Sequence, residues 1–446
     1  MSERSRRAGH GVPVGPAREP GHHLPIRRTW PQDTVALVVL SVAARLPWVL
    51  LAHSGPFSDY FFYYLGAKSI AAGHGYAVLG HPTAFFPVGW PAFLGGLFLI
   101  TGPSYAAVKA VNLVLWALTT VLVYALGRRL GGRSVGLVAG GLVAVAPTMT
   151  IYAMDGASEG LFIPLLLSAC LLVLTKKDES PSTRRAVFTG ALLGLAILVR
   201  STAILLPFVL SLWLLLRRPA RESWRAATAT ALVSMLVLVP WAARNAVVMH
   251  SYGLSTNGGY TIWMGANSHA TGGFDAGSNH WPIRSAATEA RQNSRLMRES
   301  ISWVSGHPLD WLELIPAKFT HLMVWRPRPI QNDFIYQTGN DPRVGWHVHR
   351  LSGAEATLIN GSLHHLWLFD LWHYSYWALG GIALVLAARK RLEGAGLAAL
   401  IVAFWIVFHV TIVHGEPRYM LSVAPLVAPA LAWLLVETYR RARTFA

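Results

Sequence analysis

Apolar runs of 13 to 22 residues, separated by short polar clusters, recur along this chain. They lie at about 34–52, 105–126, 134–150, 157–175, 186–199, 201–216, 226–247, 376–388, 397–413 and 419–437. Runs of this length and apolarity predict membrane-spanning helices. The polar clusters carry the orientation. "GRRLGGRS" (127–134), "KKDESPSTRR" (176–185), "RRPARESWR" (217–225) and "ARKRLEGAG" (388–396) all fall on one side if ten helices alternate in direction. Both basic termini, residues 1–33 and 438–446, fall there too, and the positive-inside rule makes that side the cytoplasm.

Two stretches depart from a plain span. "FFPVGWPAFLGGLFLITG" (85–102) is apolar but short and opens with prolines. If it crossed, "GRRLGGRS" and every later cluster would change sides, so it is expected to dip into or lie along the outer leaflet. The run 186–216 would be roughly 46 Å long as one helix, too long for a ~30 Å hydrocarbon core and too short for two full spans. A hairpin of two short helices fits, with Arg200 near its outer apex. The expected organisation is therefore a basic tail (1–33) and a transmembrane core (34–249) that holds a first external loop (53–104). An external loop domain (250–375), C-terminal spans (376–437) and a tail (438–446) follow. The fold class is an all-α polytopic membrane protein of about 10 spans.

Composition sharpens this picture. Of the 446 residues 53% are hydrophobic and 13% charged, about half the charge of an ordinary soluble domain. The net charge of +17 is dispersed between spans instead of forming one stripe, which argues against a nucleic-acid partner. The single cysteine, Cys170, lies in an apolar run and reads as a small buried hydrophobe. The first run lacks a small-residue cleavage site and reads as a signal anchor. No P-loop and no strand-GxGxxG unit occurs, and "HVH" (347–349) and "HH" (364–365) lack metal-ligand spacing. No cofactor and no required divalent metal is expected.

The alternation places Asp59, Lys68, His74, Asp155, Glu159, Arg200, Arg244, Glu416 and Arg418 at or near the outer face. Convergence of polar groups at one membrane face is the signature of a site. Asp59 opens a short helix in "SDYFFYYLGAKSIAAGHGY", where it can cap the helix, act chemically, or both. Lys68 lies about half a turn around that helix and points away. Asp155 and Glu159 in "YAMDGASEGLF" are spaced to share a helix face. They serve either as dipole caps or as second acids, as does Glu416. Arg200 needs a partner in its apolar hairpin, either Glu159 or a substrate anion. Arg244 and Arg418 either snorkel to headgroups or bind phosphate through paired donors.

The order of these blocks resembles the membrane GT-C glycosyltransferases of the dolichyl-phosphate-mannose-protein mannosyltransferase and aminoarabinose-transferase type. The blocks are a span, "SDYFFYYLGAKSIAAGHGY", "HPTAFFPVGWPAFLGGLFLITGPSYAAVKAVN", a span ending "YALGRRLGG", then "GLAILVRSTAILLP", "VPWAARNAVVMHSYGLSTNGGYTIWMGANSHATGGF" and "EPRYMLSVAPL". The resemblance implies a polyprenyl-phosphate-sugar donor, transfer with inversion on the extracytoplasmic side of a bacterial plasma membrane, and Asp59 as general base. The outer-face residues offered as donor contacts are Arg200, Arg244, Arg418, Tyr419, Lys68 and His74. The acceptor is a cell-envelope glycan, lipid or protein. Tyr60 stands where the family often has glutamate, which bears on the acceptor class. The reading from a different class is a flippase for lipid-linked sugars.

Overall fold

The computed structural model describes residues 30–51, 56, 58–153, 155–175, 181–217, 221–274, 285–324, 336–339, 347–350 and 367–445. The "HH" pair at 364–365 lies outside them. The chain runs through α1 (Trp30–Leu51), α2 (Ser58–Ala71), a hairpin β1 (Ala77–Val78) and β2 (His81–Pro82), α3 (Gly89–Thr101) and α4 (Tyr105–Gly131). It continues through α5 (Arg133–Val145), α6 (Pro147–Ile151), α7 (Glu159–Val173), α8 (Thr183–Val199), α9 (Leu206–Arg217) and α10 (Arg221–Val248). Beyond these come α11 (Gly258–Met264), α12 (Ala286–Gly306), α13 (Pro308–Met323) and a second hairpin, β3 (Tyr336–Gly339) and β4 (His347–Arg350). The last four helices are α14 (Trp367–Arg389), α15 (Ala395–Thr411), α16 (Pro417–Leu421) and α17 (Ala424–Phe445).

All ten apolar runs are helical, with a break at Ala146 in 134–150, a break at 422–423 in 419–437 and a 3₁₀ start to 201–216. Four of them, α1, α4, α10 and α14, are long and apolar enough to cross a membrane, and shorter apolar helices pack among them. Local chemistry sets the boundaries. Ser104, Ser182 and Ser285 cap α4, α8 and α12 by accepting from backbone N–H groups, and Pro147, Pro308 and Pro417 sit in first turns, where a missing N–H costs nothing. The β1–β2 turn places Leu79 and Gly80 at positive φ, as a tight two-residue hairpin requires. Small residues set the helix spacing: a Cβ on Gly190 or Gly194 would lie 2.7 Å from Thr230 O or 2.9 Å from Ser234 O, so α8 and α10 pack closely.

Contacts define two ends of the bundle. At one end Arg129 reaches Leu174 O (2.6 Å), Arg185 the same carbonyl (3.0 Å), and Arg217 Thr175 O (3.4 Å). The basic clusters thus meet at one end, as alternation predicts. The apolar stretch 85–102 does not run from one end of the bundle to the other. Trp90, at the start of α3, donates to Gly156 O (2.7 Å), and Tyr105, at the start of α4, accepts from Gly156 N (3.1 Å). Both ends of the stretch therefore lie at the other end of the bundle. Thirteen residues span only ~20 Å in any case. The hairpin at 186–216 is also found, with Arg200 leaving α8 in an extended conformation before a 3₁₀ turn, Ser201–Leu205.

Candidate active site

The end opposite the basic clusters holds an open cleft. Asp59 and Tyr63 of α2 line it, with Phe85 and Phe86 of the first loop, Arg200 at the hairpin apex, Tyr260 and Thr261 of α11, and His414, Glu416, Arg418 and Tyr419 around α16. These segments are far apart in sequence, and the packing that joins them is specific. Gly89 seats α3 against the end of α8, where a Cβ would meet Leu198 O at 2.7 Å. Tyr63 packs edge-on to Phe86 at 5.0 Å, and Phe85 to Phe86 at 5.0 Å. Tyr60, Tyr63, Phe85 and Phe86 are all buried, so the aromatics around Asp59 form a wall instead of a solvated surface.

Four charged side chains form the centre. Glu159, fully buried, accepts from Arg418 Nε (2.6 Å) and Nη2 (3.0 Å), a side-on pair, and from Arg200 Nη1 (2.7 Å). Arg418 Nη1 then donates to Asp59 Oδ2 at 2.8 Å. Arg200 and Arg418 are 10% and 13% exposed, whereas Asp59 keeps 27% of its side chain open to the cleft. The Arg418 guanidinium also lies over the Tyr60 ring, 5.2 Å from its centroid. Two guanidiniums against two carboxylates leave this quartet neutral, which is why it can persist in a poorly solvated place. Burial raises the Asp59 carboxyl above its ordinary value, with Arg418 opposing.

A second chain of contacts borders the quartet. Tyr419 OH pairs with His414 Nε2 (3.1 Å), and the other ring nitrogen of His414 faces Thr261 O (3.3 Å). Glu416 Oε2 is 3.8 Å from His414. His414 carries no sequence signal beyond its place beside "GEPRY".

The remaining candidates lie elsewhere. Lys68 and His74 are exposed on the first loop and do not line the cleft. Arg244 donates to Thr83 O (2.9 Å), Tyr76 O (3.0 Å) and Asn245 Oδ1 (3.0 Å) and lies over Trp241, so its guanidinium fastens the first loop from behind. Asp155 and Glu159 do not share a helix face. Asp155 sits in a turn, and α7 begins only at Glu159. The physical reason is that Trp90 and Asn112 take the carbonyls of Gly156 and Asp155, which are then not free for a helical ladder. Asp155 is buried and absent from the cleft wall.

Glu289 of α12 has a role no spacing revealed. Buried, it accepts from Thr83 Oγ1 (2.8 Å), Ala84 N (2.9 Å) and Thr256 Oγ1. With Arg244 it clamps the backbone just ahead of Phe85. Burial raises its carboxyl above the ordinary value against those hydrogen bonds. Among the described residues no group of three His, Cys, Asp or Glu side chains is placed to hold a metal ion.

Comparison with known proteins supports the resemblance read from the sequence. Residues 86–243 match the family described as dolichyl-phosphate-mannose-protein mannosyltransferase. Among solved structures, ArnT from Cupriavidus metallidurans bound to undecaprenyl phosphate is similar over 90% of this chain and 60% of its own, at 14% identity and a TM-score of 0.53. The Archaeoglobus fulgidus oligosaccharyltransferase tethered to an acceptor peptide with an NVT sequon is similar over 94% of this chain and 51% of its own, at 12% identity and a TM-score of 0.52. No curated protein matches by sequence. The fold is thus that of the polytopic GT-C membrane proteins, and the chain spans about three fifths or less of the length of these structures.

Proposed function

We propose that this chain is an integral membrane glycosyltransferase. It moves a sugar from a polyprenyl-phosphate-linked donor to an acceptor hydroxyl at the extracytoplasmic membrane face. The observation that carries the reading is a single one: a part-open carboxylate, Asp59, bonded to Arg418 beside Arg200 in a cleft at one end of a bundle with this fold. In the proposed reaction Asp59 takes the proton of the acceptor hydroxyl as its oxygen attacks the anomeric carbon. The anomeric C–O bond to phosphate breaks, polyprenyl phosphate departs, and one in-line displacement inverts the centre. Arg200 and Arg418 face the developing phosphate charge, which a preorganised cation stabilises most in a water-poor cleft.

Several features support this assignment. Arg200 uses Nη1 on Glu159 and Ser158 and lines the cleft, so its guanidinium charge faces the space an anion would occupy. The aromatic wall of Tyr63, Phe85 and Phe86 suits the apolar face of a sugar ring. The helix α11 lines the same cleft, which supports a part for that segment in choosing the acceptor. ArnT, whose fold is similar, has undecaprenyl phosphate bound in its crystal structure. The experiment is direct: purified protein is incubated with polyprenyl-phosphate mannose, arabinose or glucose and an envelope extract, and release of polyprenyl phosphate is followed. No acceptor-dependent release with any donor would defeat the proposal.

A further inference from the structure

At the basic end of the bundle, α1, α4, α7 and α8 frame a second, wide-open groove. It is remote from the Asp59 cleft. From Tyr105, which bonds Gly156 near the site, to Arg128, α4 rises by roughly 35 Å. Leu122, Leu171 and Leu172 give the groove an apolar floor, and its rim carries Arg128, Arg129, Arg185 and Trp30.

The partners of these arginines leave their charge largely uncompensated. Arg128 donates to Tyr124 OH (3.0 Å) and lies over the Trp30 ring at 4.9 Å, both neutral groups. Arg129 and Arg185 donate to the carbonyls of Leu171 and Leu174. The nearby acid Asp33 is taken through both oxygens by Arg133 (2.9 and 2.7 Å) and by Tyr124 OH (2.6 Å). Glu393 reaches Arg129 only at 4.0 Å, and both side chains are about a third exposed. Among the described residues no acid lines the groove itself. Three guanidiniums therefore stand over a leucine floor, beside a tryptophan that is 43% exposed, the usual marker of a bilayer boundary.

A bare phosphate would satisfy the arginines and leave the floor unfilled. A hydrocarbon chain would fill the floor and leave the arginines unanswered. We propose that this groove binds an anionic phospholipid, its phosphate held by Arg128, Arg129 and Arg185 and one acyl chain lying over Leu122, Leu171 and Leu172. Basic pockets between spans are the usual form of such sites, and each cation near a charged headgroup contributes roughly a factor of five.

The test uses the full chain, purified in detergent, stripped of lipid and then incubated with phosphatidylglycerol or phosphatidylcholine before native mass spectrometry. The wild-type protein should retain phosphatidylglycerol about tenfold more strongly than phosphatidylcholine. Arg128→Gln/Arg129→Gln/Arg185→Gln should erase that preference, whereas Arg221→Gln, an exposed arginine outside the groove, should keep it. Arg129 and Arg185 also cap the end of α7, so Arg128→Gln is the second variant: it touches no backbone carbonyl and should lower the preference with the melting temperature unchanged. Equal retention of the two lipids by wild type would overturn the proposal. So would undiminished preference in both variants, or displacement of phosphatidylglycerol by millimolar inorganic phosphate, which would mark a simple anion site.

Discussion

Replacing Asp59 by asparagine tests the proposed chemistry with the least structural disturbance. The carboxylate accepts one hydrogen bond, from Arg418 Nη1 at 2.8 Å, and the asparagine carbonyl can accept it too. What is lost is the difference between a charge-assisted and an ordinary bond, about 1 kcal/mol in a pair that keeps 13% and 27% of its side-chain surface open. What is removed chemically is larger. Loss of a general base typically costs ~10²–10⁴ in rate, or about 3–5 kcal/mol of barrier. The substitution also turns the neutral quartet into one with a net positive charge, so polyprenyl phosphate should bind as well as before or more tightly.

The assay is single-turnover release of polyprenyl phosphate, beside thermal melting in detergent and direct binding of polyprenyl phosphate. The pH profile adds an independent sign. The base must be ionised to work, and burial raises its pKa above the model-peptide value of 3.8. The wild-type rate should therefore rise with pH along an acid limb displaced upward from the ordinary aspartate value, and the variant should lack that limb. A folded Asp59→Asn protein that transfers sugar within about threefold of wild type would refute the reasoning and leave Asp59 as a partner of Arg418 alone.

Arg200→Ala should weaken polyprenyl-phosphate binding by roughly tenfold or more, with Arg200→Lys restoring part of it, because a point charge replaces a fork; equilibrium binding reads the result, and unchanged affinity would make Arg200 only the partner of Glu159. Glu289→Ala should destabilise the external helices by about 2–4 kcal/mol, since it orphans Thr83, Ala84 and Thr256 at a buried point, and limited proteolysis near residue 289 should detect the loosening. The raised Glu289 pKa also fixes a sign: the folded state binds the proton more tightly than the unfolded chain, so this group's contribution is full below about 4.5 and is lost as pH rises through the folded value. Glu289→Gln should flatten that slope in urea melts. In a background lacking Cys170, single cysteines at Arg129, Arg221 and Lys390 should label from one side of the membrane and one at Arg298 from the other; labelling of Arg129 and Arg298 from the same side would break the topology.

Apolar period and charge placement made the spans legible. The runs 105–126 and 226–247 became α4 and α10, and the two anomalous stretches became a helix that does not run the length of the bundle and a broken hairpin. Each result follows from length against bilayer thickness and from keeping the basic clusters together. The site was legible only as a list of outer-face residues. Nothing in "YAMDGASEGLF" says that its glutamate binds two arginines, from "LVRS" and "EPRY", or that its aspartate is withdrawn into a turn by Trp90 and Asn112. Those outcomes depend on side chains more than 40 positions away. Arg244 illustrates the same limit. An arginine at the end of a span reads alike whether it meets a substrate or, as here, the carbonyls of Tyr76 and Thr83. Glu289 lies in an amphipathic helix where an acid is unremarkable until the first loop is docked against it.

The distribution of charge along the bundle bears on the reading from another class, a flippase for lipid-linked sugars. A flippase must give a polar headgroup a route from one membrane face to the other, and such routes are lined by ionisable or polar side chains at midplane. Here the acids and arginines of the Asp59 cleft gather at one end, and the groove at the other end carries arginines alone among its charged lining residues. Arg45 and Lys109, buried within spans, are otherwise engaged. Arg45 donates to Ser41 Oγ (2.8 Å), Ala144 O (2.7 Å) and Val143 O (2.9 Å), ending α5, and the Lys109 ammonium lies 5.4 Å from the Tyr105 ring centroid, near the site end. The residues that line the Asp59 cleft and those that line the arginine-rimmed groove do not overlap. Proteoliposomes that carry the protein should therefore translocate a fluorescent polyprenyl-phosphate sugar no faster than empty liposomes, while the same preparation releases polyprenyl phosphate when acceptor is supplied. Translocation that is rapid, and equally rapid with Asp59→Asn, would favour the transporter.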